Sequence, residues 1–324
     1  MSSSDATLQP TIPSPERVAS IDIGTNTILL LIAEVNQGRL RPLLETETIV
    51  GLGKGLLRNG LLSPEAMDKG YETLHQHMTC CRRMGVQRIF AVGTSALRDA
   101  RNSAEFIERA NRGLDLPIEV ISGEEEAGLS FLAVANDLQK SEETILVVDV
   151  GGGSTEWILG KGYQVIQRVS LPMGSVRFTE QFLLSDPVRE EEWHRMEQQA
   201  IGLFSDIPWS GVLPLMVAVG GTATTLASVA LGLKEFSAEK IHHFILTQEA
   251  LRAQLSLYRS KSVAERRKIP GLFPNRADVI LAGGAILYFA MEKAGCASSL
   301  VSCHGIRHGL LYKRLGLKPL PSLT

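Results

Sequence analysis

The chain carries one phrase twice. Ser20-Ile21-Asp22-Ile23-Gly24-Thr25-Asn26-Thr27 and Val147-Val148-Asp149-Val150-Gly151-Gly152-Gly153-Ser154-Thr155 each run from β-branched residues into an aspartate, then glycine, then small hydroxyl residues. Each then leads into another β-type run, Ile28 to Val35 and Glu156 to Leu159. An aspartate at a strand end can hold a hydrated metal ion, glycines let backbone N–H groups turn inward, and hydroxyls add donors. The phrase suits a phosphate chain, with Gly24, Thr25 and Asn26 in one loop and Gly151, Gly152, Gly153 and Ser154 in the other. Two such loops predict two similar half-molecules closing on one polyanion from opposite sides. A dinucleotide fingerprint runs strand, glycine turn, helix; here the glycine turn enters a second strand, which excludes a Rossmann reading.

A length of 324 residues allows one large domain or two of moderate size. The formal net charge of −2 argues against a general nucleic-acid coat protein, and no sequence-specific nucleic-acid partner is expected. Basic groups serving a polyanion must be locally concentrated. Cys80, Cys81, Cys296 and Cys303 make no C-x-x-C pair and read as reduced, mostly buried thiols. The first sixteen residues are rich in Ser, Thr and Pro without an apolar core, and read as a disordered tail and not a secretion signal. No unbroken apolar run has the length a bilayer requires, so a soluble, cytoplasmic protein without a membrane partner is expected.

Between the phrases the chain alternates strands and helices. Leu40 to Val50 reads as a strand, and Gly51-Leu52-Gly53-Lys54-Gly55 as a glycine-rich loop. Ser63-Pro64-Glu65 is a helix start, with a hydroxyl cap, a proline in the first turn and an acid beside the positive helix end. That helix is predicted to run to about Arg83; His75 and His77 lie two apart on it and do not share a face. Val86 to Val92 reads as a strand emptying into Gly93-Thr94-Ser95-Ala96-Leu97-Arg98, followed by a helix from Ser103 to Arg112 and a strand from Pro117 to Ile121. Ser122 and Glu125 form a capping box, which leaves Glu126 the freer of three consecutive acids. On residues alone, these acids can serve the helix dipole, or one of them can serve as a base.

After the polar stretch Gln139 to Glu143, suited to a hinge, Thr144 starts the pattern again. Hairpin strands to Leu171, a helix from about Val188 to Phe204 and a strand from Leu215 to Val219 follow. Gly220-Gly221-Thr222-Ala223-Thr224-Thr225 then opens a helix, an arrangement suited to an anion or to threonine caps of a buried helix start. His242 and His243 precede a short strand, and a helix reaches about Ser260. An apolar stretch with Gly283 and Gly284 becomes a helix to Lys293, and Ile306 to Leu315 is a last short helix.

Asp22 to Thr27, Val92 to Arg98, Ser122 to Ala127, Asp149 to Glu156, Met173 to Glu180, Gly220 to Leu226 and Arg276 to Ala285, in this order, resemble the exopolyphosphatase/guanosine pentaphosphate phosphohydrolase (Ppx/GppA) family of the actin-like superfamily. The resemblance covers roughly residues 17 to 316. It implies an α/β fold of two ribonuclease-H-like lobes with mixed sheets around a cleft, with the last helix packing back on the first lobe. The expected division is residues 17–138 plus 304–324 in one lobe and 139–303 in the other. It also implies hydrolysis of a terminal phosphate from inorganic polyphosphate, with the 5′ phosphate of guanosine pentaphosphate (pppGpp) as the alternative substrate and magnesium, or manganese, as cofactor. A homodimer is the expected assembly. The long members of the family carry a further helical region, so this chain resembles the short form.

By position, Glu126 matches the family's catalytic glutamate, and Asp22, Asp149 and Glu156 match acids around the metal and attacking water. Gly24, Thr25, Gly151, Gly152, Ser154, Gly221 and Thr222 match phosphate-loop residues, and Arg98 and Arg177 match basic or loop positions near the cleft. Arg98 is expected to pair with phosphate as a fork. Cys303 and His308 stand where the resemblance leads one to expect carboxylates. A sugar or acetate kinase on the same scaffold, and a non-catalytic phosphate sensor, are the rival readings.

Overall fold

In a computed structural model, the chain is described over residues 15–139, 142–209, 211 and 213–317. Most of the expected tail and of the last residues, and the centre of the polar hinge, lie outside these. Eleven strands are described: β1 Glu16–Ile23, β2 Thr27–Asn36, β3 Arg39–Ile49, β4 Arg88–Gly93, β5 Ile118–Val120, β6 Thr144–Val150, β7 Thr155–Lys161, β8 Gln164–Leu171, β9 Leu215–Val219, β10 Ile245–Thr247 and β11 Ser298–Val301. They form two sheets, in the orders β3-β2-β1-β4-β5 and β10-β11-β9-β6-β7-β8.

The two sheets repeat one topology. In the first, β1 to β3 form an antiparallel meander and β4 and β5 add in parallel on the other side of β1. In the second, β6 to β8 form the meander and β9 and β11 add in parallel beside β6, with β10 antiparallel at the edge. Each is a ribonuclease-H-like mixed sheet, so the repeated phrase marks a repeated lobe. Inner strands covered on both faces are buried along their length, and β1 and β6 are, with six consecutive buried residues each, apolar but for Ser20, Asp22 and Asp149.

Helix boundaries follow from local chemistry. The Pro64–Arg83 helix begins where the Ser63 hydroxyl accepts the Ala66 N–H, a cap worth about 1 kcal/mol. At Gly123–Leu138 both bonds of the Ser122/Glu125 capping box form. Gly283 and Gly284 lie inside the apolar Ile280–Ala294 helix, and at Gly283 Thr222 and Ser175 pack where a side chain would stand.

Two helices tie the lobes together. The Gly123–Leu138 helix lays Ala127, Phe131, Val134 and Ala135 on Ile145, Val147, Ile158, Val217 and Val219 of the second sheet. Its Leu129 joins Val92, Ile121, Ile306 and Leu310, where it meets the Ile306–Leu315 helix. A side chain at Gly309 would collide with the Leu129 backbone, which makes this a close crossing. Leu311 of the latter helix closes a core with Val18, Leu31 and Ala33 of the first sheet. None of the described helices is long and apolar enough to cross a membrane.

Candidate active site

The two phrases fold into matching loops. In the first, the Gly24 N–H donates to the Thr27 carbonyl (2.8 Å); in the second, Gly151 N–H donates to Ser154 (3.0 Å). The following carbonyls are engaged by neighbours: Thr25 accepts Gly53 N–H, Asn26 accepts Val50 and Gly51, Gly151 accepts Ser175, and Gly152 accepts Val176 and Arg177. In a trans peptide the N–H points opposite to its carbonyl, so the amides of Asn26, Thr27, Gly152 and Gly153 turn away from those neighbours. Both loops line one cavity of about 120 Å³.

Asp22 and Asp149 are each the penultimate residue of the strand that leads into a loop, and both are buried at the cavity wall. Asp149 accepts a hydrogen bond from Ser130 Oγ at 2.7 Å. Gly220 adopts φ +87, and its missing Cβ would stand 2.7 Å from Asp149 Oδ1, so only glycine leaves room for that carboxylate. Asp22 Oδ1 is buried with no hydrogen-bond partner. Burial, followed by the charges of Glu126 and Asp149, raises the Asp22 pKa to about 8. Burial also raises Asp149, against the Ser130 bond.

The three consecutive glutamates have three fates. Glu124 reaches Arg168 at the surface (3.0 Å), Glu125 turns back onto Ser122, and Glu126 is buried at the cavity. Glu126 Oε2 accepts from Arg98 Nη1 at 2.8 Å, and the same nitrogen donates to the Ile121 carbonyl at 2.9 Å. Burial raises the Glu126 pKa to about 7 while Arg98 pulls it down.

Gly24, Thr25, Asn26, Gly151, Gly152, Gly153, Ser154, Gly221, Asp22, Asp149 and Glu126 all line this one cavity. Three expected site residues stand elsewhere. Arg98 is not on the cavity wall; its Nη1 bonds Glu126 and the Ile121 carbonyl, and so supports the carboxylate. Glu156 is Asp149's antiparallel partner on the same sheet face, one strand further from the cavity, where Ser170 Oγ donates to it (2.8 Å) and burial holds its pKa well up. Thr222 is buried with its hydroxyl donating to the Val150 carbonyl (3.1 Å), and of this helix start it is Thr224 that lies on the wall. Glu47 from the edge strand β3, Ser95 and Arg307 from the first turns of two helices, and Cys303 from a loop also line the wall.

Contacts between the lobes surround the cavity. Side chains at Gly152 and Gly153 would run into Thr25 and Ser95 of the opposite lobe. Gly55 N–H donates to Glu180 (2.8 Å), Arg177 pairs with Asp99, and Arg276 pairs with Glu47. A second chamber of about 440 Å³ adjoins the cavity and shares Glu47, Thr224, Phe236, Cys303 and Arg307 with it.

The chain is similar to several known proteins. It is 32% identical over 302 residues to the guanosine-5′-triphosphate,3′-diphosphate pyrophosphatase of Vibrio campbellii, covering 91% of this chain and 58% of that one. The chain spans about half the length of the curated relatives it matches. A crystal structure of the Ppx/GppA family member from Aquifex aeolicus matches with a TM-score of 0.80 at 35% identity, over 93% of this chain and 98% of that one. An exopolyphosphatase structure from Cytophaga hutchinsonii matches with a TM-score of 0.85 at 28% identity, over 94% of this chain and 100% of that one. Residues 31–318 match the Ppx/GppA phosphatase family, and with the paired loops and the glutamate between them in one cleft, the chain belongs to that family.

Proposed function

We propose that this protein is an exopolyphosphatase that releases terminal orthophosphate from inorganic polyphosphate. The observation that carries the reading is the convergence of two matching phosphate-type loops, two buried aspartates and Glu126 on one cavity. Loop amides and hydroxyls from opposite lobes would hold the last two phosphates, and positioning of this kind does most of the work in phosphoryl transfer. Glu126, oriented by Arg98, accepts a proton from water as the water oxygen attacks the terminal phosphorus. The bridging P–O bond breaks, and orthophosphate and a shortened chain leave.

The acidic cluster fits a divalent cation, because Asp22 Oδ1 is buried without a partner beside Asp149, and both carboxylates are held above their ordinary range. Asp22 and Asp149 would hold magnesium, or manganese, with Glu156 beside Asp149 on the next strand. When bound, that ion offsets negative charge on the phosphoryl oxygens. The test is Glu126→Gln: phosphate release falls by about 10²–10⁴-fold while polyphosphate binding is retained. Equal loss of binding and turnover would make Glu126 part of the scaffold.

A second reading is a pppGpp 5′-phosphohydrolase. It is favoured by the adjoining chamber, walled by a tilted Phe236–Phe273 pair with centroids 6.2 Å apart, which offers aromatic faces to a nucleobase. Side-by-side phosphate release from long polyphosphate and from pppGpp decides between the two. Tight binding of both with no release would select a non-catalytic sensor.

A further inference from the structure

Four of the chain's seven histidines stack in one column outside the cleft. The order is His243, His242, His304, His308, with successive ring centroids 3.9, 4.6 and 4.1 Å apart. Asp137, near the end of the Gly123–Leu138 helix, lies alongside. Its Oδ2 is 2.8 Å from His243 Nε2, while its Oδ1 is 3.2 Å from His242 Nε2 and 3.5 Å from His304 Nδ1. His304 Nδ1 is buried and has no hydrogen-bond partner.

We propose that Asp137, His242 and His304 form a binding site for a first-row transition-metal dication of the zinc class, separate from the aspartates of the cleft. Their donor atoms lie within 4.8 Å of one another. Ligands at about 2.0–2.1 Å from a tetrahedral centre sit about 3.3 Å apart, and the two measured edges, 3.2 and 3.5 Å, bracket that value. Two imidazoles and one carboxylate select zinc, cobalt, nickel or copper over magnesium and calcium. With Oδ2 of Asp137 held by His243, Oδ1 is the oxygen aimed at the ion, so His243 orients the carboxylate.

Occupancy is coupled to the cleft. The Cys303 N–H donates to His242 Nδ1 at 3.1 Å, which places the proton of the neutral empty ring on Nε2. With Nε2 on a metal, the neutral ring carries its proton on Nδ1, facing another donor. Loading therefore turns the Cys303 amide aside, and Cys303 and Gly305 line the active cavity.

The test uses the full chain, free of any tag and saturated with magnesium, titrated with zinc by calorimetry and with cobalt by visible absorption. The wild type should bind one equivalent of zinc and show the intense bands of tetrahedral cobalt. His304→Ala and Asp137→Asn should weaken zinc binding by about 10–100-fold or more, and His243→Ala by about 10–100-fold, at unchanged melting temperature. If His304→Ala does not fold, His304→Gln serves instead. Amide exchange over Cys303–Gly305 should change on zinc addition in the wild type only. Zinc affinity equal in all variants overturns the site, as does binding abolished by Asp149→Asn but kept in His304→Ala, which would put the ion in the cleft. Unchanged exchange at Cys303 overturns the coupling.

Discussion

Arg98 and Glu126 meet through a single nitrogen: Nη1 donates to Oε2 at 2.8 Å and to the Ile121 carbonyl just before the helix that carries the glutamate. The cation opposes the upward push of burial on Glu126. A base must be ionised, so activity is lost as pH falls through its pKa. Arg98→Met removes the downward pull, and the acid limb of kcat/KM should move to higher pH. An acid limb at the wild-type position, measured as phosphate release against pH, would separate Arg98 from the base.

Asp22 gives a stability signature. Its pKa is raised from 3.8 to about 8, so between these values the folded chain holds a proton that the unfolded chain has released. Stability without metal should then fall as pH rises through this window. Urea midpoints in EDTA should drop from about pH 5 to about pH 8, and less so in Asp22→Asn. Added magnesium should raise the melting temperature more at the higher pH. Magnesium stabilisation that is the same at both ends would place the ion elsewhere.

At Gly153 the lobes touch so closely that a Cβ would strike Ser95 and Thr25. Gly153→Ala should cost about 1–3 kcal/mol, or else wedge the lobes apart. Either outcome lowers phosphate release; full activity at wild-type stability would mean that the contact is dispensable.

Phe236 distinguishes the two substrate readings. Aromatic stacking on a base contributes about 1–3 kcal/mol, so Phe236→Ala should weaken kcat/KM for pppGpp by about 10-fold or more and leave long polyphosphate unchanged. Equal loss on both substrates would make the chamber part of the common site.

What the sequence discloses here is mostly local. Strand β6 ends where its β-branched run ends, the Ser122 cap forms as its spacing demands, and the two glycine phrases close the same hydrogen bond from a glycine N–H to the backbone carbonyl three residues on. Direction within an element was harder to read. Thr222 and Thr224 are two apart on one helix start; the Thr222 hydroxyl reaches across to the Val150 carbonyl while that of Thr224 bonds back to its own turn at the wall, a difference no spacing signals. Glu156 misses the wall because antiparallel pairing sets it one strand beyond Asp149 on the same sheet face, where Ser170 on the next strand bonds its oxygen. Glu47 and Arg307 reach the cavity through long-range docking that no spacing signals. His304 and His308 sit four apart, a visible hint, but nothing near them in the chain foretells Asp137 or His242.

The crossing of the two linking helices bears on how the protein is made. Ser20 on β1 donates to the carbonyl of Arg307, 287 positions later, and Leu311 fills the face of the same sheet. A nascent chain leaving the ribosome with its first sheet complete would still show the uncovered face of Val18, Leu31 and Ala33 to water. Translation of the second sheet must finish before that face is sealed. The late helix thus acts as a stopper, and removing it should leave the early half dependent on chaperones.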